Sequence, residues 1–410
     1  MSTPRFRSFS PGLQRFFLAT VVNMTGSGMI FAFLFIYLNE VRGFSGSASG
    51  LIVAATPIAG VIINPWAGYV SDRFGPKRIL TIGCVLSIAA SSSLAFASTV
   101  PLALVASVAM GVANGLWFPS QSALLSVIVA ADERPAVMAF QRTALNLGAG
   151  FGGVIGGLIA DRDRLRSFQL MFAINAATYV VFLACLPGLP SGRIVHDATG
   201  ADGPAGFREV LRDRFFLLLL ASDLGISFGF GFAWGMMPAY ASRIGVNEST
   251  VGLMFLVGAI SAVVFQIPML RWVRGRDRML CLSFMNATFL VAFVITSFTV
   301  NVSLGIAIAV MIAAQAIGGF GETVLAAVRQ PLTSELAPIR LVGRYFGLAA
   351  MVFQGSMGAA AAIGGVLLDH SLRGVWIVAA AFSAYGVVTS VALRHRLRVR
   401  VPLAVQPAAA

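Results

Sequence analysis

Three ionisable residues lie inside long apolar stretches of the 410-residue sequence, namely Asp223, Glu322 and Arg142. Asp223 lies about nine residues past the start of its stretch, Glu322 lies seven residues before Arg329, and Arg142 lies eight residues past Arg134. These separations correspond to roughly 10 to 13 Å along an α-helix. Charged groups are costly in hydrocarbon and commonly mark ion or substrate pathways. A carboxylate there can bind a proton and release it when its surroundings change. We therefore predict that the three residues line or flank a polar cavity, with Arg142 paired to one carboxylate in at least one access state.

The same residues also fit a static role. Either carboxylate could form a fixed intramembrane salt bridge or accept hydrogen bonds from the backbone. Uncharged residues extend the candidate substrate cavity, and they are Asn23, Asn114, Trp117, Gln121, Trp234, Gln315 and Gln354. Any one of these amide side chains could instead form a hydrogen bond that joins two helices.

The elements that must position these residues are membrane-spanning helices. The sequence is 58% hydrophobic and only 11% charged, whereas soluble domains are about a quarter charged. A spanning helix needs about 20 largely apolar residues. Twelve such runs are predicted, at 13–38, 48–70, 79–98, 101–128, 136–160, 168–188, 215–240, 249–272, 279–299, 302–328, 342–368 and 374–393. We therefore predict an all-α membrane protein with twelve transmembrane helices.

The net charge of +13 does not indicate a nucleic-acid partner. The basic residues form short clusters between the apolar runs, as the positive-inside rule predicts for cytoplasmic loops. Most of them fall on one side when both termini are placed in the cytoplasm. The expected location is the bacterial inner membrane, with lipid as the surrounding partner.

The sequence divides into two similar halves. The polar stretch at 190–214 is predicted to be a cytoplasmic linker between bundles at 1–189 and 215–410. Short matches recur in the same order: residues 47–51 with 249–253, Gly75 and Arg78 with Gly275 and Arg278, and residues 155–157 plus Asp161 with residues 363–365 plus Asp369. With six helices per half, the repeats are parallel, and substrate sites lie at such repeat interfaces.

The loop after the second run carries a recognisable motif. It reads Gly-Tyr-Val-Ser-Asp-Arg-Phe-Gly-Pro-Lys-Arg from Gly68 to Arg78. This resembles the signature loop of the major facilitator superfamily, Gly-x-x-x-Asp-Arg-x-Gly-x-Arg/Lys-Arg, and the resemblance extends over essentially the whole chain. It implies two rocking six-helix bundles around a cavity lined by spans one, four, seven and ten. It also implies a gating latch formed by Gly68, Asp72, Arg73, Gly75 and Arg78. The alternative is that the charged residues of this loop only follow the positive-inside rule and form no latch.

A second resemblance is to the drug–proton antiporter branch of this family, whose fifth span is rich in glycine. Here that span contains Gly148, Gly150, Gly152, Gly153, Gly156 and Gly157. It lacks the branch's proline, and Ser107 stands where the branch has an arginine in the fourth span. The glycines could equally serve close helix packing alone.

An enzyme is not expected, because His196, His370 and His395 are scattered and no metal or nucleophile arrangement appears. No cofactor is expected either. We predict a monomeric secondary transporter, with proton-coupled efflux of lipophilic or amphiphilic small molecules by alternating access. The alternative is uptake or facilitated transport of a polar nutrient or metabolite.

Overall fold

The computed structural model describes residues 9–129, 133–189, 209–273, 275–338 and 341–398. Of the predicted linker, residues 190–208 lie outside this part of the chain. In the signature loop, the side chain of Asp72 and the surroundings of Gly68 also lie outside what the structure describes.

Twelve long helices make up almost all of the described chain. They are α1 (Pro11–Ile36), α2 (Gly46–Phe74), α3 (Pro76–Phe96), α4 (Val100–Ile128), α5 (Arg134–Ile159), α6 (Leu165–Cys185), α7 (Arg214–Phe230), α8 (Glu248–Val273), α9 (Arg278–Ser297), α10 (Leu304–Leu336), α11 (Val342–His370) and α12 (Leu372–Arg398). Each coincides with one of the twelve predicted spans. The main difference is α10, which continues to Leu336 and therefore includes Arg329, a residue that the sequence predicts in a loop.

Local sequence explains where several helices begin. Ser45 caps α2 by accepting from the amide of Ala48, and Asp213 caps α7 in the same way. Gly75 joins α2 directly to α3 with a φ of +90°, in the left-handed region that favours glycine. Pro76 follows as the first residue of α3, where its missing amide donor costs nothing.

Two helices change to π-helical geometry near one end. Helix α1 continues into a π-helical turn at Tyr37–Val41. Helix α7 passes through a π-helical stretch at Gly231–Met236 and ends as the α-helical segment Met237–Arg243. We treat α7 as the whole of Arg214–Arg243. Such π-helical insertions often occur at functional sites.

Eleven of the described helices are long and apolar enough to cross a membrane. Helix α5 is the twelfth long helix, and it carries Gln141, Arg142 and Asn146 among its apolar residues. The predicted fold class, an all-α membrane protein, is therefore confirmed.

The described chain folds as two compact units. One contains Met1–Asp197, Pro238–Leu256 and Ala361–Asp369, and the other contains Ala198–Met237, Val257–Ala360 and His370–Ala410. The first unit thus includes the end of α7, the start of α8 and the end of α11. The division into bundles at 1–189 and 215–410 stays a prediction.

Each unit has an aromatic core. In the first, Phe182 lies 5.4 Å from Phe16 and 5.5 Å from Trp117, measured between ring centroids. In the second, Phe293 stacks on Trp376 at 5.7 Å. These rings are almost fully buried within their own units. Protein packing, and not lipid alone, therefore fixes the positions of the helices around the candidate residues.

Candidate functional site

An ion pair joins α7 to α10 within the second unit. Oδ2 of Asp223 is 2.7 Å from Nη2 of Arg329. The side chain of Asp223 is 3% exposed and that of Arg329 is 16% exposed. Asp223 is one of the predicted cavity residues, whereas its partner Arg329 is absent from the predicted set. The sequence signal that could have identified Arg329 is its spacing from Glu322.

Arg329 has two further partners on α11. Its Nη2 donates to the carbonyl oxygen of Ala349 at 3.0 Å. Its guanidinium carbon also lies 4.9 Å from the ring centroid of Phe353. A carboxylate, a carbonyl and an aromatic face are the three kinds of group that commonly bind a cation in proteins. Arg329 therefore connects three helices, α7, α10 and α11, through one charge.

Aromatic residues lie along one side of this ion pair. The ring of Phe353 is 5.5 Å from that of Phe230 on α7, and Phe230 is 5.5 Å from Phe289 on α9. Phe230 follows Asp223 by seven residues and so lies on the same face of α7. The ion pair thus borders an apolar, aromatic wall.

Polar residues on α10 recur at a spacing of seven. Each of Gln315, Glu322 and Arg329 follows the previous one by about two helical turns, so the three share one face of the helix. Gln315 is buried and Glu322 is half-buried. Two of the predicted cavity residues therefore lie on the α10 face that carries Arg329.

A buried ion pair of this kind can change partners. Removing two charges from water is expensive, and their mutual attraction repays that cost only while both remain paired. A proton on Asp223, or a charged group of a bound molecule, would alter the balance. The arrangement can therefore link the binding of a proton or ligand to the positions of α7, α10 and α11.

The first unit contains a chain of amide and hydroxyl groups in place of charges. Nε2 of Gln141 donates to Oε1 of Gln121 at 2.6 Å, and Nε2 of Gln121 donates to Oγ1 of Thr20 at 3.2 Å. All three side chains are buried. The chain joins α5, α4 and α1, and it includes the predicted cavity residue Gln121.

The remaining predicted cavity residues occupy varied environments. Asn23 is buried, Asn114 is half-buried, and Trp117 is 1% exposed in the aromatic core of its unit. That position favours packing for Trp117, and its contact with substrate stays a prediction. Trp234 is half-buried in the π-helical stretch of α7, and Gln354 is half-buried on α11.

Arg142 is exposed on α5, in the first unit. Asp223 takes its cation from Arg329 of its own unit. The predicted pairing of Arg142 with a carboxylate in at least one access state remains a prediction.

The latch residues are described only in part. The guanidinium of Arg73 lies 5.5 Å from the ring centroid of Phe74, and both Arg73 and Arg78 are exposed. The neighbouring Lys77 donates to the carbonyl oxygens of Pro187 and Leu189, just beyond the end of α6. The latch role of Asp72 remains a prediction.

The chain is similar to known transporters over most of its length. The family profile described as Major Facilitator Superfamily matches residues 16–312 and 224–409. The chain is 25% identical over 402 residues to the uncharacterized MFS-type transporter YqjV of Bacillus subtilis, covering 94% of this chain and 96% of that one. It is 22% identical over 250 residues to the quinolone resistance protein NorA of Staphylococcus aureus, covering 59% and 62% of the two chains.

Solved structures share the fold. A D-xylose–proton symporter superposes with a TM-score of 0.72 at 17% identity, covering 95% of this chain and 97% of that one. A POT family transporter in complex with a thioalcohol-conjugated peptide gives a TM-score of 0.76 at 13% identity, covering 95% and 96%. These likenesses agree with the predicted architecture of two six-helix bundles.

Proposed function

The chain belongs to the major facilitator superfamily and is a secondary transporter, and within that family we propose proton-coupled efflux of lipophilic or amphiphilic small molecules. The observation that carries this proposal is the buried pair of Asp223 and Arg329 beside the aromatic wall. The similarity to a quinolone resistance protein supports the same direction.

The coupling step rests on competition for one carboxylate. While Asp223 is ionised, it holds Arg329 against α7. A proton on Asp223 removes the negative charge, so Arg329 is left with the Ala349 carbonyl and the Phe353 ring on α11. The proposed cycle alternates between these two states as α7 and α11 move with respect to each other. Glu322 lies on the same face of α10 and is the second candidate proton carrier.

The proposed substrate class follows from the surroundings of the pair. Phe230, Phe289 and Phe353 offer ring faces and apolar area, which suit a flat, lipophilic molecule. Uptake of a polar nutrient is the second candidate. It is favoured by the Gln141–Gln121–Thr20 chain, whose amides could bind hydroxyl groups.

The test is transport by purified protein in liposomes with an imposed pH gradient. We expect gradient-driven movement of an amphiphilic fluorescent dye by the unsubstituted protein and its loss in Asp223→Asn and Glu322→Gln. Asp163→Asn and Glu133→Gln are matched controls, because both residues are exposed and lie outside the site. Unchanged gradient-driven transport in both site variants would remove the coupling proposal. Movement of radiolabelled sugars and not of dyes would favour the second candidate.

The same proposal places both termini in the cytoplasm of a bacterial cell and treats the protein as a monomer. Reporter fusions at the two ends distinguish the sides of the membrane. Mass measurement of the detergent-solubilised protein, corrected for bound detergent, gives the number of chains.

A further inference from the structure

The first unit contains two contacts between helix ends that the transport proposal does not use. Both lie at the end of the unit that carries the α1–α2, α5–α6 and α7–α8 connections, which we name the clasp end. The charge distribution predicts that this end faces outward. One contact joins the end of α11 to the start of α2. The other joins the loop after α5 to the connection between α7 and α8.

The α11–α2 contact is a helix cap supplied from a distant part of the sequence. Asp369, near the end of α11, accepts from the backbone amides of Gly46 and Ser47, each at 2.9 Å, and from the Ser47 hydroxyl at 3.1 Å. A carboxylate at this position satisfies free amides and complements the helix dipole of α2. Arg243 lies 3.8 Å from the same carboxylate.

The contact at the α7–α8 connection is centred on Arg162. Its Nε lies 2.6 Å from the carboxylate of Glu248, the first residue of α8. Its two Nη atoms donate to the carbonyl oxygens of Val246 at 2.6 Å and Ser242 at 3.3 Å. Glu40 lies 3.8 Å from Arg162 and accepts from the Ser242 hydroxyl at 2.7 Å. One guanidinium thus holds the last turn of α7 and the first turn of α8.

Glycines below each contact allow the helices to touch. A Cβ built at Gly157 would lie 2.7 Å from the carbonyl oxygen of Glu248 and 2.9 Å from Cα of Gly252. A Cβ built at Gly50 would lie 2.6 Å from the carbonyl oxygen of Ala361 and 3.0 Å from Cα of Gly365. Backbones this close leave no space for a ligand or water between the helices. Each contact therefore has a glycine seam with a polar lock above it.

The two locks occupy matching positions of the sequence repeat but use different chemistry. Asp369 corresponds to Asp161, and the start of α2 corresponds to the start of α8. In one half, the acid at the end of α11 caps the partner helix. In the other, α8 carries its own acid, Glu248, and the loop after α5 supplies the cation Arg162.

We propose that Arg162 and Asp369 are positioning residues that hold the clasp end closed in one state of the transport cycle, and that the two locks are unequal. The Arg162 lock depends on charge, because its strongest contact is an ion pair. The Asp369 lock depends mainly on hydrogen-bond acceptance, because its closest partners are backbone amides. This inference needs a transporter that opens at this end, but it does not depend on the proposed protons or substrates.

The first experiment is a charge exchange at the Arg162 lock. Spin labels are attached at Thr99 and Asn301, two exposed residues in the α3–α4 and α9–α10 connections, in a protein whose native cysteines are replaced by alanine. The measured quantity is the fraction of molecules in which the two labels are far apart. We expect Arg162→Glu and Glu248→Arg each to raise this fraction several-fold. The double variant Arg162→Glu/Glu248→Arg should have a distance distribution close to that of the unsubstituted protein, because it restores the ion pair. Arg164→Gln is the matched control, since Arg164 lies in the same loop and its side chain is 80% exposed.

Thermal unfolding of every variant separates positioning from folding. If Arg162→Glu does not fold, Arg162→Gln takes its place and is compared with Arg164→Gln. A double exchange no closer to the unsubstituted protein than either single variant would overturn the charge dependence. Distances in the Arg162 variants equal to those of Arg164→Gln would overturn the lock itself.

The second experiment grades the Asp369 lock. Asp369→Asn keeps one oxygen acceptor for the α2 amides but removes the second acceptor and the charge near Arg243, whereas Asp369→Ala removes both oxygens as well as the charge. We expect Arg243→Gln to leave the distances between the labels nearly unchanged, because it keeps both acceptor oxygens of Asp369. Asp369→Asn should raise the fraction of molecules at long distance by an intermediate amount, and Asp369→Ala should raise it several-fold. Equal shifts in the two Asp369 variants would contradict the hydrogen-bond dependence. An unshifted Asp369→Ala would show that the seam alone closes this pair of helices.

Discussion

Asp223 on α7 and Arg329 on α10 form an ion pair of 2.7 Å inside the second unit, with only 3% of the Asp223 side chain exposed. The pair joins helices that are far apart in sequence. Its arginine lies in the last part of a helix that the sequence predicts to have ended. The contribution of this pair to the stability of the protein and its contribution to transport can therefore be measured independently.

The stability of the protein should depend on both partners of this pair together. Asp223→Asn leaves Arg329 without its carboxylate, and removing one partner of a buried pair costs about 3 to 5 kcal/mol. Arg329→Gln should destabilise by a similar amount for the converse reason. The double variant Asp223→Asn/Arg329→Gln should regain most of the loss, because no unpaired charge remains. Thermal unfolding in detergent gives the three comparisons.

The transport result should separate from the stability result. The double variant should unfold near the temperature of the unsubstituted protein and still fail in gradient-driven transport, since no group at position 223 can take a proton. Asp163→Asn, on an exposed loop, serves as the control for the chemical change. A double variant that unfolds no later than the single variants would contradict the pairing.

The helices could be predicted because hydrocarbon imposes a simple rule of length and apolarity. All twelve appear where the sequence predicts them. Arg329 was the exception, since a basic residue after an apolar run usually marks a cytoplasmic loop. In α10 the helix continues because Asp223 and Ala349 supply partners for that charge. The local pattern of apolar and basic residues around Arg329 does not reveal which groups on other helices lie close to it.

The repeat could also be predicted, but its consequence could not. The matches of residues 47–51 with 249–253 and of Asp161 with Asp369 are visible in the sequence. The sequence does not show which of these segments contact each other. In the structure, Gly157 packs against Gly252 and Gly50 packs against Gly365. One contact uses the acid Asp369 and the other uses the base Arg162. This difference depends on which side chain lies close enough to the neighbouring helix, and only the three-dimensional structure shows that.

The glycine seam between α5 and α8 should not tolerate a methyl group. Gly157→Ala would place Cβ 2.7 Å from a backbone carbonyl oxygen, and the α8 backbone would have to move away. We expect a lower unfolding temperature or a slower transport rate. Gly355→Ala is the matched control, because that helical glycine has nothing within 4 Å of the added Cβ. Alanine there should be neutral or stabilising by up to about 1 kcal/mol. Equal effects at the two positions would contradict the seam.

The amide chain of the first unit should act as a structural unit. Gln141→Leu removes the donor to Gln121 and leaves a buried amide oxygen without that partner, which costs about 1 to 3 kcal/mol. Gln121→Leu should cost a similar amount. The double variant should lose less than the sum of the two, because the unsatisfied groups are removed together. Chemical denaturation followed by fluorescence measures the three free energies. Strict additivity would show that the two amides do not depend on each other.

The hydroxyl of Tyr37 should stabilise the π-helical turn that ends α1. It donates to the carbonyl oxygen of Leu94 at 2.7 Å and accepts from Nε of Arg42 at 2.7 Å, in a fully buried position. Tyr37→Phe removes both contacts, although Arg42 keeps its own bond to Ala95. A hydrogen bond to a charged group is worth about 1.5 to 3 kcal/mol, so we expect a loss of that order in the free energy of unfolding. Tyr385→Phe, at a residue that is 42% exposed, should change it by less than about 0.5 kcal/mol. If the two substitutions lower the unfolding temperature equally, the turn does not depend on the Tyr37 hydroxyl.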